Sequence, residues 1–271
     1  MRHYLTSLSG RRPILIHLIG CGGTGSHLAI RLVQLNTTLL ALGHPGLHVV
    51  MFDPDIVSPA NVGRQMFHEQ DIGLPKVTVL VTRINQCTGV DWEGLPVGYP
   101  ARHNGSPQIV ITAVDTAKAR VMIGRALHRN VHPLYWIDCG NMQRQGQVIF
   151  GSLGKTQQPK NLKVKTIDRL PTVLDFYPEL AKGEDNNQGP SCSLAEAIEQ
   201  QDLFINPLVA LEAAEMLWKA LRYGYLEYSA AYISLDPRNT RVLPIDPKIW
   251  RRFGYGARKP SRRTRTKEKK R

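Results

Sequence analysis

The stretch Leu18-Ile19-Gly20-Cys21-Gly22-Gly23-Thr24-Gly25-Ser26 decides the fold. It closes an apolar run, "PILIHLIG" (13–20), and opens "HLAIRLVQL", whose leucines recur at helical spacing. Strand, glycine turn and helix follow in the order that a nucleotide-binding turn requires. Gly20, Gly22 and Gly25 fit G-x-G-x-x-G. Glycines there allow a tight turn and let backbone N–H groups approach a phosphate closely. The helix N-terminus that follows favours an anion.

Working outward, the same alternation repeats. A helix is expected over 25–42, with Leu28, Leu32, Leu35 and Leu39 on one face. "LHVVMFD" (47–53) is a second strand ending in Asp53, and 76–87 a second helix. "QIVITAVD" (108–115) is a third strand ending in Asp115, with a helix over 116–130. "PLYWIDCGN" (133–141) and "GQVIFGSL" (146–153) complete the strands of this half. A helix over 207–222 follows, then "EYSAAYISL" (227–235) and "TRVLPI" (240–245) flanking the turn sequence "DPRN". The pattern predicts an α/β, Rossmann-like, doubly wound fold. Its sheet is mainly parallel, with right-handed crossovers and a C-terminal antiparallel extension. Ligands bind such sheets beyond the carboxyl ends of the strands. Gly20, Asp53 and Asp115 fall at three such ends and should converge on one crevice.

Two segments break the alternation. Residues 152–195 are polar and read as a crossover or lid inserted in a domain spanning 1–250. Residues 251–271 hold eleven Lys/Arg against one acid, which accounts for +10 of the net charge of +13. This basic tail lacks apolar periodicity and reads as disordered. It is either a solubilising tail or a weak, salt-sensitive contact for nucleic acid or an acidic partner. No apolar run reaches the roughly 18 residues of a membrane span, and residues 1–13 lack a signal core. A cytoplasmic protein is expected. The four cysteines, Cys21, Cys87, Cys139 and Cys192, show no C-x-x-C pair, which argues against a four-cysteine zinc site or a disulfide framework.

The chemistry lies in "FDPDIVSPANVGRQMF" (52–67). Asp53 ends its strand where a carboxylate accepts hydrogen bonds from ribose hydroxyls. Asp55, Asn61, Arg64 and Gln65 follow, and Lys76 comes shortly after in "DIGLPKV". A dinucleotide site does not need this cluster, whereas a triphosphate does. A guanidinium fork and an ammonium together hold β- and γ-phosphates and stabilise departing pyrophosphate. Asp115 is an acid placed to hold Mg²⁺ beside the phosphates.

Together, "GCGGTGS" (20–26), "FDPDIVSPANVGRQ" (52–65), Lys76, "AVDTAKAR" (113–120) and "WIDCGN" (136–141) resemble the ThiF/MoeB/HesA family. These are bacterial relatives of the ubiquitin-activating enzymes. From "GPSCSLAEAIEQQDLFIN" (189–206) onward the chain resembles the ThiF-family component of the plasmid-associated PRTRC system. The resemblance implies an adenylyltransferase, a ubiquitin-like modifier activating enzyme. Such an enzyme uses MgATP to adenylate the C-terminal glycine of a small β-grasp, ubiquitin-like or sulfur-carrier protein. It places Gly22, Gly25 and Ser26 at the phosphate turn and Asp53 on the ribose. Asn61, Arg64, Gln65 and Lys76 surround the phosphates, and Asp115 is the metal ligand. Arg64, Lys76 and Asp115 then carry catalysis by positioning and charge neutralisation, without a general base. A homodimer is the family expectation.

The sequence also departs from the family. The N-terminal helix with an Arg-Tyr-x-Arg-Gln-type motif is not visible, leaving Arg11 or Arg12 as a substitute for its arginine, the paired C-x-x-C zinc motifs are absent, and "VSPANVG" replaces the usual "ESNLN". Cys192 in "PSCSL" stands where many relatives carry a cysteine that accepts the activated protein as a thioester. It reads either as that nucleophile or as an inert thiol beside a helix. Cys21 and Cys139 read as small packing residues. Two other readings compete. One is an NAD(P)-dependent oxidoreductase, which leaves Asn61, Arg64 and Lys76 unexplained. The other is an ATP-binding, nucleic-acid-associated accessory protein that uses the tail, for which no recognition motif is visible.

Overall fold

The computed structural model describes residues 1–8, 10, 12–101, 105–129, 134–182, 201–253 and 255. Cys192, part of the 152–195 insertion and nearly all of the basic tail lie outside the described residues.

The chain begins with a two-residue strand β1 (His3–Tyr4), then β2 (Ile14–Ile19), the glycine turn and α1 (Gly23–Ala41). It continues through β3 (Leu47–Phe52), α2 (Lys76–Thr88), β4 (Glu93–Leu95) and β5 (Ile109–Thr112). Then come α3 (Ala117–His128), β6 (Tyr135–Asn141), β7 (Gln145–Ser152) and a single turn α4 (Val173–Phe176). The last elements are α5 (Ile205–Tyr223), β8 (Tyr225–Leu226), β9 (Tyr228–Leu235), β10 (Arg238–Pro244) and α6 (Pro247–Trp250).

Among the described residues the main sheet has eight strands in the order β10-β9-β7-β6-β5-β2-β3-β4. β4, β3, β2, β5 and β6 run parallel, and β7, β9 and β10 extend the sheet antiparallel. The expected α/β sheet with its antiparallel extension is therefore present. The order steps from β2 out to β3 and β4, then returns to β5 on the other side. Right-handed crossovers consequently put α1 and α2 on one face and α3 on the opposite one. The strand order reverses at β2, which is where such sheets open a crevice.

Local sequence explains the elements. Of the parallel strands, β2, β3 and β5 are buried on both faces, so they read as nearly continuous apolar runs rather than alternating ones. Leu28, Leu32, Leu35 and Leu39 face the core from α1, as their spacing predicts. α2 and α5 each end on a glycine in the left-handed region, Gly89 and Gly224. Thr116 caps α3 by accepting the N–H of Ala119 at 3.1 Å. β4 escaped the sequence reading because "WEGL" is short and only partly buried. It forms because it lies along the edge of β3, with Val50, Met51 and Phe52 opposite Glu93, Gly94 and Leu95.

Of the polar insertion, residues 170–177 pack on the sheet face that α3 covers. Leu170, Thr172, Val173 and Phe176 are buried there. Leu174 and Trp136 leave no room for a side chain at Gly124 of α3. Residues 62–75 are tied to α2 by Arg83. Its guanidinium donates to the Met66 carbonyl at 3.0 Å and to both Asp71 oxygens at 3.0 and 2.8 Å.

Burial alone would raise the Asp71 pKa, but Arg83 and the His68 amide outweigh it, and the pKa is lowered. A carboxyl titrating below its unfolded value stabilises the fold above the unfolded range near ~4, and that stabilisation is lost as pH falls through the folded value. Asp71→Asn should therefore cost about 2 kcal/mol in urea unfolding at pH 7, as expected for hydrogen bonds to a charged group. The gap from the parent protein should close below about pH 4.

Candidate functional site

The carboxyl ends of β2, β3, β5 and β6 sit side by side, with Ile19 opposite both Phe52 and Thr112, and Thr112 opposite Asp138. Gly20 leaves β2 at φ +88°. A β-carbon at Gly20 would lie 2.6 Å from the Ala113 carbonyl oxygen, and one at Gly25 would overlap the carbonyl of Gly20. The turn thus folds onto itself and onto the end of β5. Gly22 caps α1 without any side-chain hydrogen bond, and open space lies where its side chain would be. The first turn of α1 carries no acidic residue. Its N–H groups end at the edge of the sheet.

Asp53 is 5% exposed at the end of β3. Its carboxylate accepts the N–H of Cys21 in the glycine turn and the N–H of Asp55 at 2.8 Å. Each oxygen thus takes one backbone donor and keeps a lone pair free of backbone. Burial pushes its pKa up, opposed by Lys76 and by the two amides. Lys76 lies in the first turn of α2 with its ammonium 2.8 Å from Asp55, which is well exposed. A cation at a helix N-terminus is the wrong sign for the helix dipole. Asp55 offsets that cost.

Asn61, Arg64 and Gln65 arrive on the segment after β3. Asn61 is buried, and its Oδ1 accepts the Ser58 N–H at 2.9 Å, closing a tight helical turn. The following residues are clipped to α1. Ser26 Oγ accepts the Met66 N–H at 3.2 Å and donates to the Gly23 carbonyl at 3.2 Å. Ser26 is fully buried, so its hydroxyl serves the scaffold. Arg64 donates from Nη1 to Gln201 Oε1 at 2.9 Å, and burial lowers its pKa. Its Nε and the Gln65 Oε1 are buried with no hydrogen-bond partner among the described residues. Buried polar atoms without partners are uncommon and call for a ligand or water.

Asp115 is exposed in the loop between β5 and the cap of α3. Arg120 steadies that loop. Its Nη2 donates to the carbonyls of Val114 at 2.6 Å and Cys139 at 3.1 Å, while its Nε lies 3.1 Å from both oxygens of the buried Asp138. No group of three or more His, Cys, Asp or Glu capable of holding a metal occurs among the described residues. Cys21 and Cys139 are buried, and burial raises both thiol pKa values, so both behave as packing residues.

The structure therefore brings Gly20, Gly22, Gly25 and Asp53 to one edge, with Lys76 paired beside them. It joins the segment bearing Arg64 and Gln65 to α1, and leaves Asp115 on the neighbouring loop. Sequence reasoning missed a polar chain behind the turn. Asn206, 1% exposed in the first turn of α5, accepts from Thr24 Oγ1 at 3.0 Å and from Asn141 Nδ2. It donates to Gln201 Oε1 at 2.8 Å. The only signal was a polar residue opening an otherwise apolar helix.

Residues 12–248 match the ThiF family. Solved structures share the fold. MccB of E. coli with ATP is 15% identical with a TM-score of 0.55, covering 86% of this chain and 64% of that one. The microcin C7 biosynthetic enzyme MccB in complex with N-formylated MccA is 14% identical, with a TM-score of 0.57 and the same coverage. PaaA is 15% identical, with a TM-score of 0.54 and again 86% and 64% coverage. The chain thus spans less than two thirds of the length of these neighbours. A sequence search of curated proteins gave no significant match.

The contact between Gly25 and Gly20 makes a direct prediction. Gly25→Ala should force the turn off β5 and lower stability by about 3 kcal/mol, the upper range for overpacking. Thermal unfolding checks this, and an unchanged midpoint would mean that the turn has slack.

Proposed function

The chain belongs to the ThiF family, and on that premise we propose that it is an ATP-dependent adenylating enzyme. One observation carries the reading. At the switch point of the sheet, an uncapped helix N-terminus and the acceptor Asp53 share an edge with the half-buried Arg64, whose buried Nε has no partner among the described residues. This is a binding edge for a polyanion that also bears hydroxyls. An NAD(P) reading leaves Arg64 and Lys76 without a task.

In the proposed reaction a carboxylate oxygen of the substrate attacks the α-phosphorus of ATP. A new O–P bond forms, the bond to the β-phosphate oxygen breaks, and pyrophosphate departs. The carboxylate is already ionised, so no base is needed. Asp53 uses its remaining lone pairs for the ribose hydroxyls. The amides of Gly22 to Gly25 donate to phosphate oxygens, those of Gly20 and Cys21 being held by Phe52 and Asp53. Asn61, Arg64, Gln65 and Lys76 face the β- and γ-phosphates, and Arg64 and Lys76 balance charge on the leaving group. Lys76 passes from Asp55 to phosphate when the nucleotide enters. Asp115 is the carboxylate that would hold magnesium. A single carboxylate suits an ion that takes its other ligands from phosphates and water. Bound magnesium neutralises phosphate charge.

The substrate we propose is a small β-grasp, ubiquitin-like protein ending in glycine, as the resemblance to the ThiF/MoeB/HesA family implies, with this chain in its PRTRC-associated branch. That MccB has been solved with ATP and with MccA supports a two-substrate reaction on this fold. The same reading makes residues 1–250 the adenylating unit, working as a homodimer in the cytoplasm, with 251–271 a basic appendage. Cys192 is the proposed thioester acceptor.

ATP–pyrophosphate exchange tests the reading. Exchange should depend on one small Gly-terminated protein encoded near the gene. Asp115→Ala should reduce it by about 100-fold or more, in the range for losing one transition-state charge contact. Normal exchange by that variant would remove Asp115 from the site. A conjugate cleaved by thiol reductants should form on the parent protein and be missing from Cys192→Ala. If the variant still forms it, the acceptor lies elsewhere.

A further inference from the structure

Arginine has donors only. That simple fact fixes the polarity of every group behind the glycine turn. Because Arg64 Nη1 donates to Gln201, the Gln201 carboxamide must present its oxygen. That oxygen takes its second donor from Asn206 Nδ2. Asn206 must then turn its own oxygen toward Thr24 and Asn141, which both donate to it. Asn141 also donates to Thr24 Oγ1 at 2.9 Å. The chain runs unbroken from Arg64 to the first turn of α1. At that end the Asn206 carboxamide fills the space beside Gly23, where a β-carbon would lie 2.6 Å from it.

From this geometry we infer that Gln201, fixed by Asn206, is the positioning residue for Arg64. The inference rests on the adenylation reading, in which Arg64 meets the β- and γ-phosphates. A free arginine side chain loses rotamer entropy when it binds a phosphate, and one already held loses less. Gln201 is attached to one Nη atom alone, and Nε is left buried and unpartnered. The guanidinium is therefore held without being consumed. The main chain is fixed separately: His27 Nε2 lies 3.4 Å from the Arg64 carbonyl, and Ser26 holds Met66. With backbone and head group both anchored, the donor face of Arg64 stays in register with the glycine turn. Asn206 serves both ends, since it props Gly23 and fixes Gln201. It makes the phosphate turn and the arginine one rigid unit.

A double-mutant cycle read by calorimetry tests this. The probes are ATP, inorganic tripolyphosphate and AMP. Gln201→Met keeps the side-chain length and removes the acceptor. Gln201→Ser leaves a gap in which water satisfies Asn206, and it serves if the first variant does not fold. Either should weaken ATP and tripolyphosphate binding about tenfold while leaving AMP affinity unchanged, because AMP lacks the phosphates that Arg64 meets. In an Arg64→Ala background the same change should cost less than about twofold, the signature of two residues acting as one. Equal losses in both backgrounds, equal losses for AMP, or no loss at all would overturn the inference and leave adenylation standing. If the parent protein binds neither ATP nor tripolyphosphate, the nucleotide reading falls and this inference falls with it.

Discussion

Two glycines that touch set the geometry of the whole edge. Gly25, in the first turn of α1, lies against the carbonyl of Gly20 at the end of β2. Gly20 in turn lies against Ala113 at the end of β5. No side chain fits between them, so the helix starts as close to the sheet as backbone allows. This brings the free N–H groups of α1 to the level of the strand ends. Asp53 then reaches the Cys21 amide and ties β3 to the same turn. Ser26, one residue further on, reaches the Met66 amide and brings in the Arg64 segment. A single larger residue at Gly25 would displace every one of these contacts.

The electrostatics of that edge point one way. α5 begins beside α1, since Asn206 in its first turn bonds Thr24 in the first turn of α1. The two helices therefore run parallel and add their positive ends at one corner. Lys76 opens α2 nearby, and Arg64 is half-buried on the adjoining segment. Against these the structure sets Asp53 and Asp55. Asp53 is engaged by two backbone amides, and Asp55 is exposed and bound to Lys76. Concentrating cations and helix N-termini in this way costs stability in the absence of an anion. Ligand-binding edges characteristically carry that cost.

Much of this was legible in the sequence, for a physical reason. Strands buried on both faces are mostly apolar, so β2, β3, β5 and β6 announced themselves despite the buried His17, Thr112 and Asp138. The glycine spacing announced the turn, because only that spacing permits the Gly20–Gly25 contact. Asp53 was legible as an acid closing an apolar strand. What stayed hidden depended on distant partners. β4 is a strand only because β3 offers it an edge. The hydrogen bond from the Met66 amide to Ser26 joins segments 40 residues apart. Asn206 looks like a simple helix-opening residue until the fold brings Thr24 and Asn141 to it, across 182 and 65 residues of chain. Hydrogen-bond partners so far apart leave no local pattern in one sequence.

The two unpartnered atoms of the Arg64 segment bear on what the edge is built for. Arg64 Nε is a donor, and Gln65 Oε1 is an acceptor. Turning the Gln65 carboxamide presents its Nε2 in place of its Oε1, so a polyanion meets both side chains. A cation would meet the repulsion of Arg64 and Lys76. Water can occupy either position in the free protein at little cost. The preference for a nucleotide therefore rests on charge, since the paired helix ends, Arg64 and Lys76 reward a polyanion that water cannot replace.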